Sequence, residues 1–304
     1  MDILACPISR QLLRPISGTQ VSTLDGENTY QSIDGIWRFL SPSQASHFQQ
    51  FISEYETIRK EEGRGESDKS YYRALPYKDI SGKRTADWRI RAASLNTLLQ
   101  QVIEPLEQKR QSRVILDLGA GNGWLSYQLA KRGHALGAID LLVNDWDGLG
   151  TYRHYDCEYS PLQADFNHLP IRDHQVDLVI YNASLHYSEN YQTTLSEALR
   201  CLRADGKIVV MDTPIYRDRK SGEKMVVERE HAFRNLHGFA SDALSSENFI
   251  TFERMEFLSH ALGIRWTRFK PDYGLRWYLR PIKARMQGLR EPANFELILG
   301  DLIR

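Results

Sequence analysis

One run limits what this chain can fold into: Val114-Ile115-Leu116-Asp117-Leu118-Gly119-Ala120-Gly121-Asn122-Gly123-Trp124. A β-branched stretch ends in an acid, passes through three alternating glycines, and enters a helical pattern that continues through Lys131. Glycine lets the backbone turn sharply and lets a ligand approach without a Cβ in the way. A helix opening after such a turn aims its free N–H groups at whatever sits there. Further strands are predicted at Ala135–Ile139, ending in Asp140, at Val176–Tyr181 and at Ile208–Met211. A helix at Thr193–Leu202, stopped by Ala204-Asp205-Gly206, separates the last two. Strands alternating with helices mean βαβ units, a parallel sheet and an α/β fold. A helix at Thr251–Leu262 and strands at Ile264–Phe269 and Phe295–Leu299 close the pattern.

The flanks differ in texture. Residues 1–40 carry turn signals at Pro15, Gly18, Asp25-Gly26 and Asp34-Gly35, which predict a small β-rich appendage of hairpins. Residues 41–110 read as a helical substrate or lid region that, with the 214–250 insertion, would roof the pocket: Phe48, Phe51, Ile52, Tyr55 and Ile58 are helically spaced with Ser43 as a cap, and a second helical stretch runs from Asp87 to about Lys109. Between them lies a polar segment holding Tyr71, Tyr72 and Tyr77, which could form a lid or pack beneath a loop. Residues 111–304 form the α/β domain, with a polar insertion at 214–250.

Composition narrows the function classes. Thirty-nine Lys+Arg balance 39 Asp+Glu, which weighs against a nucleic-acid protein while leaving room for a local basic patch. Such a patch is seen at 265–290, where eight Lys/Arg face a single acid, Asp272. Three cysteines without a C-x-x-C pair predict neither disulfides nor a Cys-rich zinc site, and fit a reduced cytoplasmic setting. No apolar run is long enough to span a bilayer, and the start has no secretory pattern, so no membrane is expected as a partner, and the zero net charge argues against DNA.

Two kinds of cofactor are read by a strand, glycine turn and helix. The dinucleotide fingerprint puts its third Gly or Ala where Trp124 stands, and Asp117 would repel a pyrophosphate. A cofactor bearing an ammonium group would instead welcome that acid. The D-x-G-x-G-x-G spacing, with Asp140 ending the next strand, resembles class I S-adenosylmethionine-dependent methyltransferases of the type 11 branch. Later segments resemble that family in order: Asp165-Phe166-Asn167-His168-Leu169-Pro170, Asp177 through Asn182 to His186-Tyr187, and Glu197 through Gly206 to Met211. The resemblance implies a Rossmann-like fold with a seven-stranded, mostly parallel sheet and an antiparallel last strand. It implies S-adenosylmethionine held by Asp117, Gly119, Ala120, Gly121, Asn122, Gly123 and Trp124. Asp140 and Leu141 would hold its ribose, Asp165 and Phe166 its adenine, with Asn182, Tyr72 and Arg91 as further contacts, Arg91 for the methionyl carboxylate. Residues 1–40 resemble a zinc-ribbon-like module at Tyr30…Asp34-Gly35-Ile36…Leu40. Cys6 alone remains of the metal-binding thiols, so a degenerate, metal-free segment is expected.

His186 and Tyr187 are the candidate catalytic residues, His186 as a general base or as scaffold of its loop. The leading expectation is methyl transfer to a small organic acceptor of the secondary-metabolite kind. An RNA base methyltransferase and a catalytically silent scaffold are the alternatives. Acceptor, acceptor atom and oligomeric state are not legible in the residues.

Overall fold

The computed structural model describes residues 3–303. Its N-terminal strands are β1 (Arg14–Ser17), β2 (Gln20–Ser22), β3 (Thr29–Ile33) and β4 (Ile36–Arg38). Helices α1 (Pro42–Glu61), α2 (Lys69–Ala74), α3 (Thr85–Leu98) and α4 (Glu104–Lys109) follow, the last two joined by a π turn at Leu99–Ile103. The α/β part runs β5 (Val114–Leu118), α5 (Trp124–Ala130), β6 (Ala135–Asp140), β7 (Ser160–Gln163), β8 (Val176–Asn182), α6 (Tyr191–Cys201) and β9 (Leu202–Met211). Then come β10 (Ile215–Tyr216), α7 (Arg219–His237), β11 (Ile250–Thr251), α8 (Phe252–Leu262), β12 (Ile264–Phe269), α9 (Leu275–Tyr278), α10 (Arg280–Met286) and β13 (Leu297–Leu302).

The main sheet has the order β1-β2-β3-β4-β7-β6-β5-β8-β9-β13-β12. From β7 to β9 the pairings are parallel, and β13 runs antiparallel to both β9 and β12. These seven strands form the Rossmann-like sheet expected for a class I methyltransferase fold. All seven residues of β8 are buried, as a central strand covered on both faces requires. Its one acid, Asp177, is held by the Arg110, Arg113 and Arg203 guanidiniums and by the Val114 N–H. One face of the sheet packs on α6 and α8, the other on α2 to α5. The chain goes outward from β5 through β6 to β7, then returns to β8 on the other side. This reversal opens a crevice at the carboxyl ends of β5 and β8, where ligands of open α/β sheets bind.

The structure refines three expectations. First, residues 1–40 hold the expected hairpin strands, β1 to β4 in an antiparallel meander, and β4 also pairs in parallel with β7, so they prolong the main sheet. Arg10 adds two hydrogen bonds to Glu197 of α6, at 2.7 and 2.9 Å. The likeness to a zinc ribbon gains no support from this arrangement, and Cys6 is buried with its sulfur 3.1 Å from the Tyr30 hydroxyl. Second, Ser41 rather than Ser43 caps α1, because Pro42 suits the first helical position and Gln44 completes a capping box with Ser41. Third, the helix expected up to about Lys109 is interrupted at Leu99–Ile103. Pro105 brings no N–H and crowds the carbonyl four residues back, which shifts the ladder into the wider register.

Candidate active site

A cleft with a mostly apolar lining and a few convergent carboxylates opens at the carboxyl ends of β5 to β8, the make-up of a small-molecule site. Gly119 and Gly121 form part of its wall, both with positive φ (75° and 55°). A Cβ on Gly119 would lie 2.3 Å from the Ser184 Cβ, so only glycine lets the β5 turn pass the loop after β8. At Gly121 the space is open, and what calls for glycine there is the left-handed backbone.

Asp140 ends β6 in the cleft. Its Oδ2 accepts from the Gly121 N–H and its Oδ1 from the Leu142 N–H, both at 2.8 Å. Burial pushes its carboxyl up to about 6 in spite of those bonds. A carboxylate so short of solvent gains from further donors such as a pair of hydroxyls. Asp165 lines the cleft after β7, accepting from the Asn167 N–H at 3.1 Å and paired with His168 at 2.7 Å. Phe166 beside it stands edge-on to Tyr181 and adds an apolar surface. Leu141 and Tyr187 also face the cleft.

Asp117 lies beneath this wall and is fully buried. Its Oδ2 accepts from the Ser126 hydroxyl at 2.8 Å, while Oδ1 has no partner. Burial, with Asp140 adding to it, raises its carboxyl to about 7. An unpartnered carboxylate oxygen beside a glycine turn suits a cationic group nearby, such as an ammonium.

Several predicted contacts lie outside the cleft wall. Ala120, Asn122, Gly123 and Trp124 shape the turn from behind. Asn122 caps the Trp124 N–H at 3.3 Å and donates to Asp147 at 3.4 Å, and the Trp124 ring stands edge-on to Trp88. Asn182 is buried at the end of β8 with its Oδ1 unpartnered. Tyr72 is not a lid residue: its ring stacks on His154 at 4.5 Å, and its hydroxyl is shared between the Glu66 and Trp146 carbonyls. Tyr71 is likewise core, and Tyr77 is exposed with its hydroxyl on Asn96. Arg91 faces Asp212 at 3.9 Å and the Trp88 ring, which withdraws it from the role of carboxylate clamp in the cleft.

The roof comes from α1 and from the segment after α7. Phe48, Phe51, Tyr55 and Arg59 of α1 and Leu244, after α7, line the cleft. Tyr187 packs against Phe51 and Tyr55, with ring centroids 5.7 and 5.9 Å away. Arg59 pairs with Asp147, also in the wall. The α1 aromatics share the helical stripe that signals ordinary core packing, so only their place after a capped helix start could have flagged them. Arg59 carries no local signal at all.

His186 is buried with Nδ1 unpartnered, and its ring lies 4.3 Å from that of Tyr187. Burial, followed by the Arg229 and Arg91 guanidiniums, lowers its pKa to about 3. It is neutral at pH 7 and a weak proton acceptor. Burial raises the Tyr187 phenol well above its ordinary value, so that hydroxyl stays protonated.

Comparison with known proteins supplies the remaining context. Residues 116–210 match the family described as a methyltransferase domain. A malonyl-[acyl-carrier protein] O-methyltransferase of Buchnera aphidicola is 33% identical over 95 residues, 31% of this chain and 37% of that protein. The chain thus spans little more than a third of that relative. One from Gallionella capsiferriformans is 26% identical over 237 residues, 66% of this chain and 80% of the relative. Among solved structures, Burkholderia thailandensis 1,6-didemethyltoxoflavin-N1-methyltransferase aligns with a TM-score of 0.49 at 14% identity, over 96% of this chain and 99% of that one. The YcgJ protein of Bacillus subtilis gives 0.46 at 14% identity, over 64% and 94%. Residues 116–210, with their strand order and acid-bearing glycine turn, thus match a methyltransferase domain set on a sheet of the class I methyltransferase fold.

Proposed function

We propose that the whole chain transfers a methyl group from S-adenosylmethionine to a small organic acceptor. The observation that carries this reading is the cleft itself, with the Asp140 carboxylate beside the glycine turn in its wall and an apolar roof from α1. In this reading Asp140 accepts from the cofactor's ribose hydroxyls, and Asp117, buried beneath the turn, supplies negative charge that favours the cofactor's ammonium without touching it. Asp165 and Phe166 hold the adenine. The cofactor supplies a methyl group on a sulfonium, a leaving group that needs little activation. What remains for the chain is to hold the acceptor in line and keep water away. Phe48, Phe51, Tyr55 and Tyr187 serve that end by closing the cleft with aromatic surface.

His186 acts here as scaffold rather than as base. A group with a pKa near 3 removes protons poorly at neutral pH. Acceptors that need no general base, or that ionise by themselves, fit this cleft best. The curated relatives are named for methylating a malonyl group on a carrier protein, so a malonyl thioester belongs among the acceptors tried. Residues 1–40 we read as a metal-free extension of the sheet that has kept Cys6 as core. The free thiols, two of them buried, support a reducing, cytoplasmic setting.

The test is transfer of labelled methyl from S-adenosylmethionine to a panel of small organic acids, amines and phenols, a malonyl thioester and an RNA transcript. Turnover on a small acceptor with little salt dependence supports the reading. Turnover on RNA alone, falling steeply with salt, would replace it by the RNA alternative. Binding of the cofactor with no acceptor methylated would favour the silent scaffold.

A further inference from the structure

The segment from Leu275 to Arg290 is turned inside out for a soluble protein. Neither α9 nor α10 buries a single residue fully. Leu275, Tyr278, Leu279, Ile282, Met286 and Leu289 are all exposed, Leu275 at 73% and Met286 at 83%. The two helices are close to continuous: the Leu279 N–H donates to the Leu275 carbonyl, and the Lys283 N–H to that of Leu279, across the break at Pro281. At 3.6 residues per turn the five apolar side chains from Leu275 to Met286 fall within an arc of roughly 100°, and Leu289 follows just past the helix end. That is the spacing of a core stripe, but it faces solvent.

The inward side is already engaged, so the stripe cannot simply turn over. Trp277 packs on Phe295 with ring centroids 5.6 Å apart, and the Arg280 guanidinium lies 3.6 Å above the Trp277 ring. Arg290 anchors the far end, donating to Glu228 of α7 at 2.7 Å. On the outside, Arg276 and Lys283 flank the apolar arc on one edge and Arg285 on the other, and residues 275–290 contain no acid.

We propose that this face lies on an anionic lipid bilayer, the apolar stripe entering the headgroup boundary and the flanking cations meeting lipid phosphates. An apolar stripe bordered by Lys and Arg is what interfacial helices present to membranes. The alternatives fit less well. A second copy of the same face would set cations against cations. RNA would call for exposed aromatic rings, yet the stripe is mostly aliphatic and Trp277 is turned inward. Among the described residues no helix is long and apolar enough to cross a membrane, a fact that does not bear on a helix lying flat upon one. The proposal is independent of methyl transfer and concerns only where the chain sits.

The full chain is sedimented with vesicles of phosphatidylcholine alone and with vesicles in which about a third of the lipid is phosphatidylglycerol. Binding is expected to the second kind, at least about tenfold stronger than to the first and weakened by salt. The double substitution Ile282→Glu/Met286→Glu should reduce it by about tenfold or more, and Lys283→Glu/Arg285→Glu likewise. Phe257→Glu, an exposed apolar position on α8, should leave it unchanged. All variants are checked for intact thermal melting, since each site is on the surface. No sedimentation with anionic vesicles, equal binding to both lipids, or binding unaltered by Ile282→Glu/Met286→Glu would overturn the proposal.

Discussion

Arg59 of α1 donates its Nε–H to the Asp147 Oδ2, so the helix that roofs the cleft is tied by an ion pair to the loop after β6 that walls it. Asp147 has almost no solvent of its own, and its other oxygen has only the Asn122 amide at 3.4 Å. Arg59→Met strands this carboxylate. We expect a loss of about 1–3 kcal/mol in urea unfolding, less than for a fully buried pair because the arginine keeps some exposure. Arg59→Met/Asp147→Asn should recover part of it. Additive losses in that double-mutant cycle would show that the two residues are not coupled.

If Asp117 feels the cofactor's ammonium as proposed, it links cofactor binding to protons. Its folded-state value of about 7 lies above the ordinary carboxyl range, so the folded chain holds a proton that the unfolded chain releases. That contribution to stability is complete below about pH 4 and is lost as pH rises through 7. The ligand-free protein should therefore melt lower at pH 8 than at pH 6 from this group, and Asp117→Asn should remove that difference. An ammonium ligand favours the ionised form. Binding of S-adenosylhomocysteine at pH 6 should release close to one proton, read from calorimetry in two buffers of unlike ionisation heat. No release, or the same release in Asp117→Asn, would separate Asp117 from the ligand.

The pH profile of turnover distinguishes the two roles of His186. As a neutral scaffold it contributes no limb between pH 5 and 8. His186→Gln should then lower kcat by less than about tenfold and leave the profile's shape intact, with any loss matched by a lower Tm. A loss of about 10²–10⁴-fold with a vanished acidic limb would mark a general base instead.

Metal content gives a simple check on the N-terminal strands. Cys6 is committed to Tyr30 and the Ser9 N–H, and among the described residues no group of three or more His, Cys, Asp or Glu is placed to hold a metal. Elemental analysis is expected to find zinc well below one per chain, and a chelator should not change Tm. Stoichiometric zinc would require another fold for residues 1–40.

The parts of the site that are local in sequence were readable there. Gly119, Gly121, Asp140 and Asp165 sit at strand ends, where the turn chemistry and the strand pattern point to the same place. Arg59, Phe51 and Tyr55 were not, because they reach the cleft from a helix some sixty residues before β5 and look there like any amphipathic stripe. Tyr72 and Arg91 misled for the related reason that an aromatic or a cation beside a motif gives no sign of which way it points: one found two backbone carbonyls, the other Asp212. The four N-terminal strands read as a separate unit because nothing in residues 36–38 announces that β4 will pair with β7.

The measurement that bears most directly on the account is calorimetric titration of the full chain with S-adenosylhomocysteine, beside Asp140→Ala. The account predicts one site per chain. It also predicts that the variant, still folded by its melting curve, binds about 1–3 kcal/mol more weakly, the loss expected on removing hydrogen bonds to a charged group. Absence of binding by the native protein, or unchanged affinity in Asp140→Ala, would contradict it.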